Sequence, residues 1–405
     1  MNEWRKIQIK ELCSDIIDCV NKTAPISNTP TKYRMLRTSD IRDGFINLEN
    51  LNCVTEETYN KWTRRGFLQK GDIILTREAP LGEVGLVRYA ENFFLGQRLV
   101  LLRANPSVCD NRFLLYALQF HDNKQAIIAK GVGATVLHLR VPECEKIEIR
   151  VPDLQTQRKI GNILFAYDNL IENNQKQIKL LEEAVQRLYK EWFVDLRFPG
   201  YETTPVVDGV PEGWVLCRVG DVIEFNPKVP LNKERLKQSV PMSALSTTSM
   251  VLDVDEFTTT FSNSGSKFQN GDTLLARITP CLENGKTAFV AGIEDDEGAV
   301  GSTEFIVMRS NGINPYMVYL LARDGNFRQS AINSMTGSDG RQRAQADKLK
   351  VLPYLKPADQ TMRLFAGYAE PIFIQIQKKN EQNARLRQAR DRLLPKLMSG
   401  EVGVG

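Results

Sequence analysis

The chain carries one pattern twice. Residues 70–87 read KGDIILTREAPLGEVGLV and residues 270–290 read NGDTLLARITPCLENGKTAFV, with Gly71-Asp72 and Gly271-Asp272 lying 200 positions apart. Other segments recur in the same order. Leu95-Gly96-Gln97-Arg98 through Tyr116-Ala117-Leu118 answers Val300-Gly301-Ser302-Thr303 through Tyr319-Leu320-Leu321. Lys146-Ile147-Glu148-Ile149, followed by Pro152, answers Lys348-Leu349-Lys350-Val351 and Pro353. Each half then closes with a long, charged, periodic segment. A tandem pair of modules, each a globular unit plus a helix, is pseudo-symmetric and suits a ligand with two related sites. The plainer reading is a duplication that serves stability alone.

At 405 residues the length predicts two or three domains. With 42% hydrophobic and 25% charged residues the composition is that of a globular chain. No apolar run approaches a membrane span, and the N-terminal residues have no signal-peptide core. Seven cysteines form no CxxC pair and there are only two histidines, which argues against a zinc cluster. An odd cysteine count without a secretion signal predicts reduced thiols and a cytoplasmic protein. The net charge of +4 does not by itself demand a nucleic acid. Residues 378–396 are more basic, with seven Lys or Arg against two acids, although a solvated helix face would look the same.

Residues 1–152 hold short β-favouring runs (72–76, 84–87 and 99–102) and one helical segment over 111–130, a mixed α/β module. Residues 214–355 repeat it, with the matching helix over 315–332. Between them the seam Leu164, Tyr167, Ile171, Asn174, Ile178, Leu181, Val185, Leu188 and Trp192 steps by 3 and 4 throughout, the spacing of a heptad. That predicts a helix over 154–195 within a coiled-coil region 153–198, about 60 Å long at 1.5 Å per residue. Asn174 interrupts the stripe, a device that fixes register at some cost in stability. Phe198-Pro199-Gly200 ends the helix, and 199–213 reads as a linker. A second coil over 356–405 carries Phe365, Tyr368, Ile372, Ile376, Leu386, Leu393 and Leu397. Pro371 is expected to break or kink it, and Pro395 to disturb its last turns. The two seams match as an intramolecular antiparallel pair. The fold class is therefore α+β: two pseudo-repeated α/β modules separated by two long antiparallel coiled-coil helices.

A catalytic centre is not apparent. Asn284-Gly285-Lys286-Thr287 resembles the end of a phosphate loop, but Pro280 stands where that motif needs glycine. Gly131-Val132-Gly133 lacks the third glycine of a dinucleotide fingerprint. Asn226-Pro227-Lys228 lacks the second proline and the aromatic residue of an amino-methyltransferase signature. What recurs is a basic residue beside hydroxyl or glycine residues after corresponding strands: Thr76-Arg77 in one half, Arg277 and Thr279 in the other. The loop after each internal helix adds Lys130, Thr135, His138 and Arg140 in the first half. In the second half it adds Ser338, Arg341 and Arg343, and Lys267 joins them. Glycines permit close backbone approach, hydroxyls meet phosphate, and arginine can read guanine edges, so these twelve residues are the candidate DNA contacts.

The chain closely resembles the specificity subunit of type I restriction–modification enzymes. The resemblance is carried by the two helix starts, Val151-Pro152-Asp153-Leu154-Gln155-Thr156-Gln157-Arg158 and Pro357-Ala358-Asp359-Gln360. It extends to Leu188-Tyr189-Lys190-Glu191-Trp192-Phe193-Val194-Asp195 and, most specifically, to Arg390-Asp391-Arg392-Leu393-Leu394-Pro395-Lys396-Leu397-Met398-Ser399-Gly400-Glu401. Thr156 departs from the glutamate common there. The resemblance implies that each module is a target recognition domain for one half of a bipartite, asymmetric DNA sequence. It implies that the helices separate the modules and dock two modification subunits. Those partners would bind S-adenosylmethionine and methylate adenine, and restriction subunits using ATP and Mg could join. This chain itself would be non-catalytic and bind no cofactor or metal. The competing readings are a coiled-coil assembly scaffold without sequence specificity and a nuclease whose active site has escaped notice.

Overall fold

The structure is a computed structural model that describes residues 4–48, 50–89, 92–294, 298–338 and 340–404. It divides the chain into two compact units, one running to Asn169 and resuming at Arg387, the other being Leu170–Leu386.

In the first unit a four-stranded antiparallel sheet runs in the order Cys13–Asp18, Leu99–Ala104, Ile73–Arg77, Leu81–Leu86. Successive side chains on a strand face opposite ways. Ile73, Leu75, Val100 and Leu102 thus pack with Phe113 and Leu114, while Ile74, Leu99 and Leu101 pack with Leu36 and Ile41 on the other face. Both faces are covered, so the strands read as unbroken apolar runs rather than as an alternation. The second unit repeats the order: Ile223–Phe225, Phe305–Ser310, Thr273–Ala276, Thr287–Phe289. Leu275, Ile306 and Met308 face one core, and Leu274, Phe305 and Val307 the other.

The repeated Gly-Asp pair has the same physical cause in both units. Gly71 and Gly271 turn the chain at φ +98° and +90°, where a side chain is strained. The aspartate that follows is buried and does two jobs. Asp72 accepts the amide of Gln69 (2.6 Å) and a two-pronged contact from Arg103 Nε and Nη2 (2.8 and 2.9 Å). Asp272 accepts the amide of Gln269 (2.9 Å) and Arg309 Nε and Nη2 (both 2.7 Å). The arginine comes from the central strand, so each pair ties a turn to the middle of its sheet.

Each internal helix is two helices, a correction to the single segments expected. Asn111–Gln119 and His121–Ala129 are separated by Phe120, whose ψ of 130° is extended. Pro315–Arg323 and Gly325–Asn333 are separated by Asp324, which caps the second by accepting the amides of Asn326 and Phe327. The apolar period runs on across both breaks and hides them.

The long helices form as expected, over Leu154–Tyr189 and Asp359–Ser399, the first ending in a π-turn at Lys190–Val194. The second helix runs unbroken through Pro371 and Pro395, contrary to the expected break. Both prolines lie on its exposed side, where water can satisfy the freed carbonyl. Within the second unit Asn174 donates to Asn383 Oδ1 (3.0 Å) and Gln382 Oε1 (3.1 Å), while Trp192 lies 5.9 Å, ring to ring, from Phe365. The partner numbers fall as the residue numbers rise, so the helices are antiparallel. In the first unit Ile160 and Leu164 join a core with Leu397 and Met398, and Asp168 meets Arg390.

The seam differs from the heptad reading in detail. Leu164, Ile171, Asn174, Ile178, Val185, Trp192, Ile376 and Leu397 are buried. Tyr167, Leu181, Leu188, Ile372, Leu386 and Leu393 are half-buried, and Tyr368 is exposed. The places beside Tyr167, Leu181 and Leu188 that are buried belong to Asp168, Glu182 and Tyr189. Two of these are acids, which an apolar stripe cannot reveal. Asn174 is the polar seam residue expected to set register, and its partner Asn383 is buried as well. Asn174→Leu is expected to cost about 2 kcal/mol, since it strands the Asn383 amide. Asn174→Leu combined with Asn383→Leu should recover most of that loss in a denaturant titration. A single variant as stable as the wild type would contradict the pairing.

Candidate nucleic-acid interface

In the first unit the six candidates divide by depth. Thr76 is wholly buried. Its hydroxyl donates to the carbonyl of Pro80 (2.6 Å) and accepts the amide of Glu83 (2.9 Å), which locks a turn. Arg77 is also buried, contrary to a surface role. Its Nη2 lies 2.8 Å from Asp18 Oδ1 as an ion pair outside hydrogen-bond alignment, and it donates to Asn21 Oδ1 at 3.4 Å. The Arg77 backbone carbonyl accepts the amide of Leu139 (2.9 Å), which fixes the following loop against the strand end. That loop closes on itself through paired Val132 and His138 backbone bonds of 2.9 Å. Lys130, Thr135 and Arg140 are exposed on it. His138 is half-buried with Nδ1 3.7 Å from Glu78, which also holds Arg98 Nε at 2.8 Å.

The second unit builds the same joint with different charges. The Arg277 carbonyl accepts the amide of Ala344 (2.8 Å), the counterpart of the Arg77–Leu139 bond. The Thr279 amide donates to the Gln342 carbonyl (3.1 Å), and the Arg343 backbone pairs with both Ile278 and Thr336. Arg343 grips Glu304 through Nε (2.9 Å) and Nη2 (2.6 Å), and that guanidinium holds the Glu304 carboxyl below its usual range. Thr279 is half-buried against Met335; Ser338 and Arg341 are exposed; Asp339, between them, lies outside the described residues. Lys267 and Arg277, both half-buried, line one cleft of about 720 Å³ with Asn226, Pro227, Lys228 and Phe305. The structure thus brings Arg277, Thr279, Arg341 and Arg343 onto one loop-and-strand joint, while Thr76 and Arg77 stay inside the first unit.

Residues 1–183 match the type I restriction modification DNA specificity domain. The MjaIX specificity subunit of a type I restriction enzyme from Methanocaldococcus jannaschii is 24% identical over 382 residues, 87% of this chain and 82% of that protein. The HindI specificity subunit from Haemophilus influenzae is 20% identical over 83% of this chain and 87% of its own length. The S subunit of a type I restriction–modification system from M. genitalium shares the fold, with a TM-score of 0.59 at 17% identity, over 98% of this chain and 96% of that one. Over residues 1–183 the chain carries the type I restriction modification DNA specificity domain, and along most of its length it is similar to specificity subunits of type I restriction enzymes. Two α/β domains joined by long helices are the architecture of that family.

Sequence located the repeated joint and missed the acceptors that hold its basic residues. Asp18, Asn21, Glu78 and Glu304 decide which bases are held and which are free, and each lies on a segment distant in sequence from the base it faces. Glu78 falls within the repeated 70–87 segment and Glu304 directly follows the Val300-Gly301-Ser302-Thr303 run, but neither position announces which basic residue it holds. Among the described residues no helix is long and apolar enough to cross a membrane.

Proposed function

We propose that this DNA-recognition subunit reads a bipartite, asymmetric duplex target, one module per half-site. Two modification subunits dock on the long helices, and those partners bind S-adenosylmethionine and methylate adenine. Restriction subunits using ATP and Mg join where they are present, and the complex works in the cytoplasm. This chain contributes no chemistry of its own.

The observation that carries the reading is the repeated joint. In both modules a loop rich in glycine, hydroxyl and basic residues is pinned to the end of the same strand by the same backbone bond, Leu139 to Arg77 and Ala344 to Arg277. The frame is shared and the side chains on it differ, which is what two unlike half-sites require. Exposed Lys130, Thr135, Arg140, Ser338 and Arg341 are placed on these loops. Phosphate contacts supply affinity that falls steeply with salt, and base-edge contacts supply the sequence read.

Replacing residues 214–355 by the corresponding module of a relative is expected to change one half of the recognised sequence and leave the other intact. Methylation of a randomised duplex library by the assembled complex would report it. Simultaneous change of both halves would defeat the one-module, one-half-site assignment.

A further inference from the structure

The duplicated arginines are not equivalent in what surrounds them. Arg77 is neutralised from within: Asp18 sits 2.8 Å from Nη2, Asn21 accepts from the same nitrogen, and the carbonyl of Leu139 lies 3.5 Å from Nη1. By strand register Asp18 faces Val100, which faces Leu75. In the second module Leu275 faces Ile306, and the pairing of Phe225 with Met308 carries Pro227 to the position of Asp18. No carboxylate stands there. The Nε of each arginine is shielded without a partner, but among the described residues the Arg277 side chain, unlike that of Arg77, makes no hydrogen bond or ion pair through its other nitrogens. Glu304 is gripped by Arg343, and the charge of Arg277 also helps to hold its carboxyl below the usual range.

A half-buried arginine paired with no anion is open to one that completes its hydrogen bonds. Its surroundings say what kind. The cleft of about 720 Å³ is lined by Arg277, Lys228 and Lys267 and by the hydroxyls of Ser266 and Thr303, with no carboxylate in the lining. Pro227, Val229 and Phe305 supply an apolar wall. Three cations and two hydroxyls around a cleft of nucleotide size fit a phosphodiester and its sugar. We propose that this cleft of the second module seats a phosphate of the DNA backbone, clamped by Arg277 with Lys228 and Lys267, and that the first module has no counterpart because Asp18 fills that role. The assignment rests on the DNA-recognition reading above.

The test is duplex binding by the full chain with its modification subunits, measured by fluorescence anisotropy across a salt series. Arg277→Ala should weaken binding three- to ten-fold on every duplex and lower the slope of log K against log salt by about 0.9, the loss of one phosphate contact. Arg277→Lys should keep most of the slope. Pro227→Asp supplies the carboxylate that the first module has, and it should reproduce the loss without removing the arginine. An altered preference at one base pair with an unchanged slope would overturn the phosphate assignment in favour of guanine reading. Wild-type binding with no effect of any variant would overturn the cleft's role alone. Absence of duplex binding by the wild-type complex would overturn the DNA-recognition reading and this assignment together.

Discussion

Asp168→Ala is expected to destabilise the first unit by about 4 kcal/mol, the largest effect of any single change considered, because it breaks a buried pair from one side. Asp168 is 1% exposed. One oxygen accepts Arg390 Nη1 at 2.6 Å, and the other accepts the Tyr116 hydroxyl at 2.5 Å. Burial, followed by the charge of Asp168, pushes the Tyr116 phenol well above its usual range, so the phenol stays a neutral donor. Removing the carboxylate leaves the buried Tyr116 hydroxyl without its acceptor and the Arg390 guanidinium, only 10% exposed, still paired with Asp391. At roughly 2–4 °C per kcal/mol for a domain of this size, the melting temperature should fall by about 8–16 °C. Asp168→Asn keeps an acceptor for Tyr116 and should lie between. Asp168→Leu with Arg390→Met removes both charges and should approach the wild type. A loss under about 1 kcal/mol for Asp168→Ala would contradict the account of this clamp.

Asp272→Ala ranks next, at about 3 kcal/mol in the second unit. It is the smaller effect because Arg309 keeps 23% exposure and can reach water once its partner is gone. The variant also strands the Gln269 amide, which Asp272 accepts at 2.9 Å in the turn before the strand. A matched Asp72→Ala should act on the first unit in the same way, through Arg103 at 2.8 and 2.9 Å. The pair of variants tests whether the repeat is energetic as well as visual. Denaturant titration of each reads the answer. If one aspartate proves essential and the other dispensable, the shared explanation of the Gly-Asp motif fails.

Much of this architecture was legible because it rests on periodicity and repetition. The heptad seam placed both long helices, and the repeated Gly-Asp turn placed both central strands. The parts that were not legible have physical reasons. Asp168 and Glu182 sit on the buried side of the first long helix as acceptors for partners brought from elsewhere, and an apolar stripe passes over acids. Glu182, for instance, accepts the Met250 amide at 2.7 Å from a loop far along the chain. Phe120 ends its helix with no local signal, whereas the matching break is capped by Asp324 ahead of Gly325. Pro371 was read as a breaker because a proline removes one hydrogen bond; on the exposed face of a long helix that loss is tolerated. For the interface, sequence located the arginines but not their depth. Arg77 and Arg277 look alike in the repeat, and only the tertiary placement of Asp18 separates a buried structural cation from one that lines a cleft.

The measurement that tests the central claim most directly is the map of methylated bases in a cell that expresses the modification subunits, with and without this chain. The account predicts that removing the chain abolishes methylation at one bipartite adenine-containing motif and that restoring it brings the motif back. An identical map in both cells, with the modification subunits present and active, would contradict a role in DNA recognition.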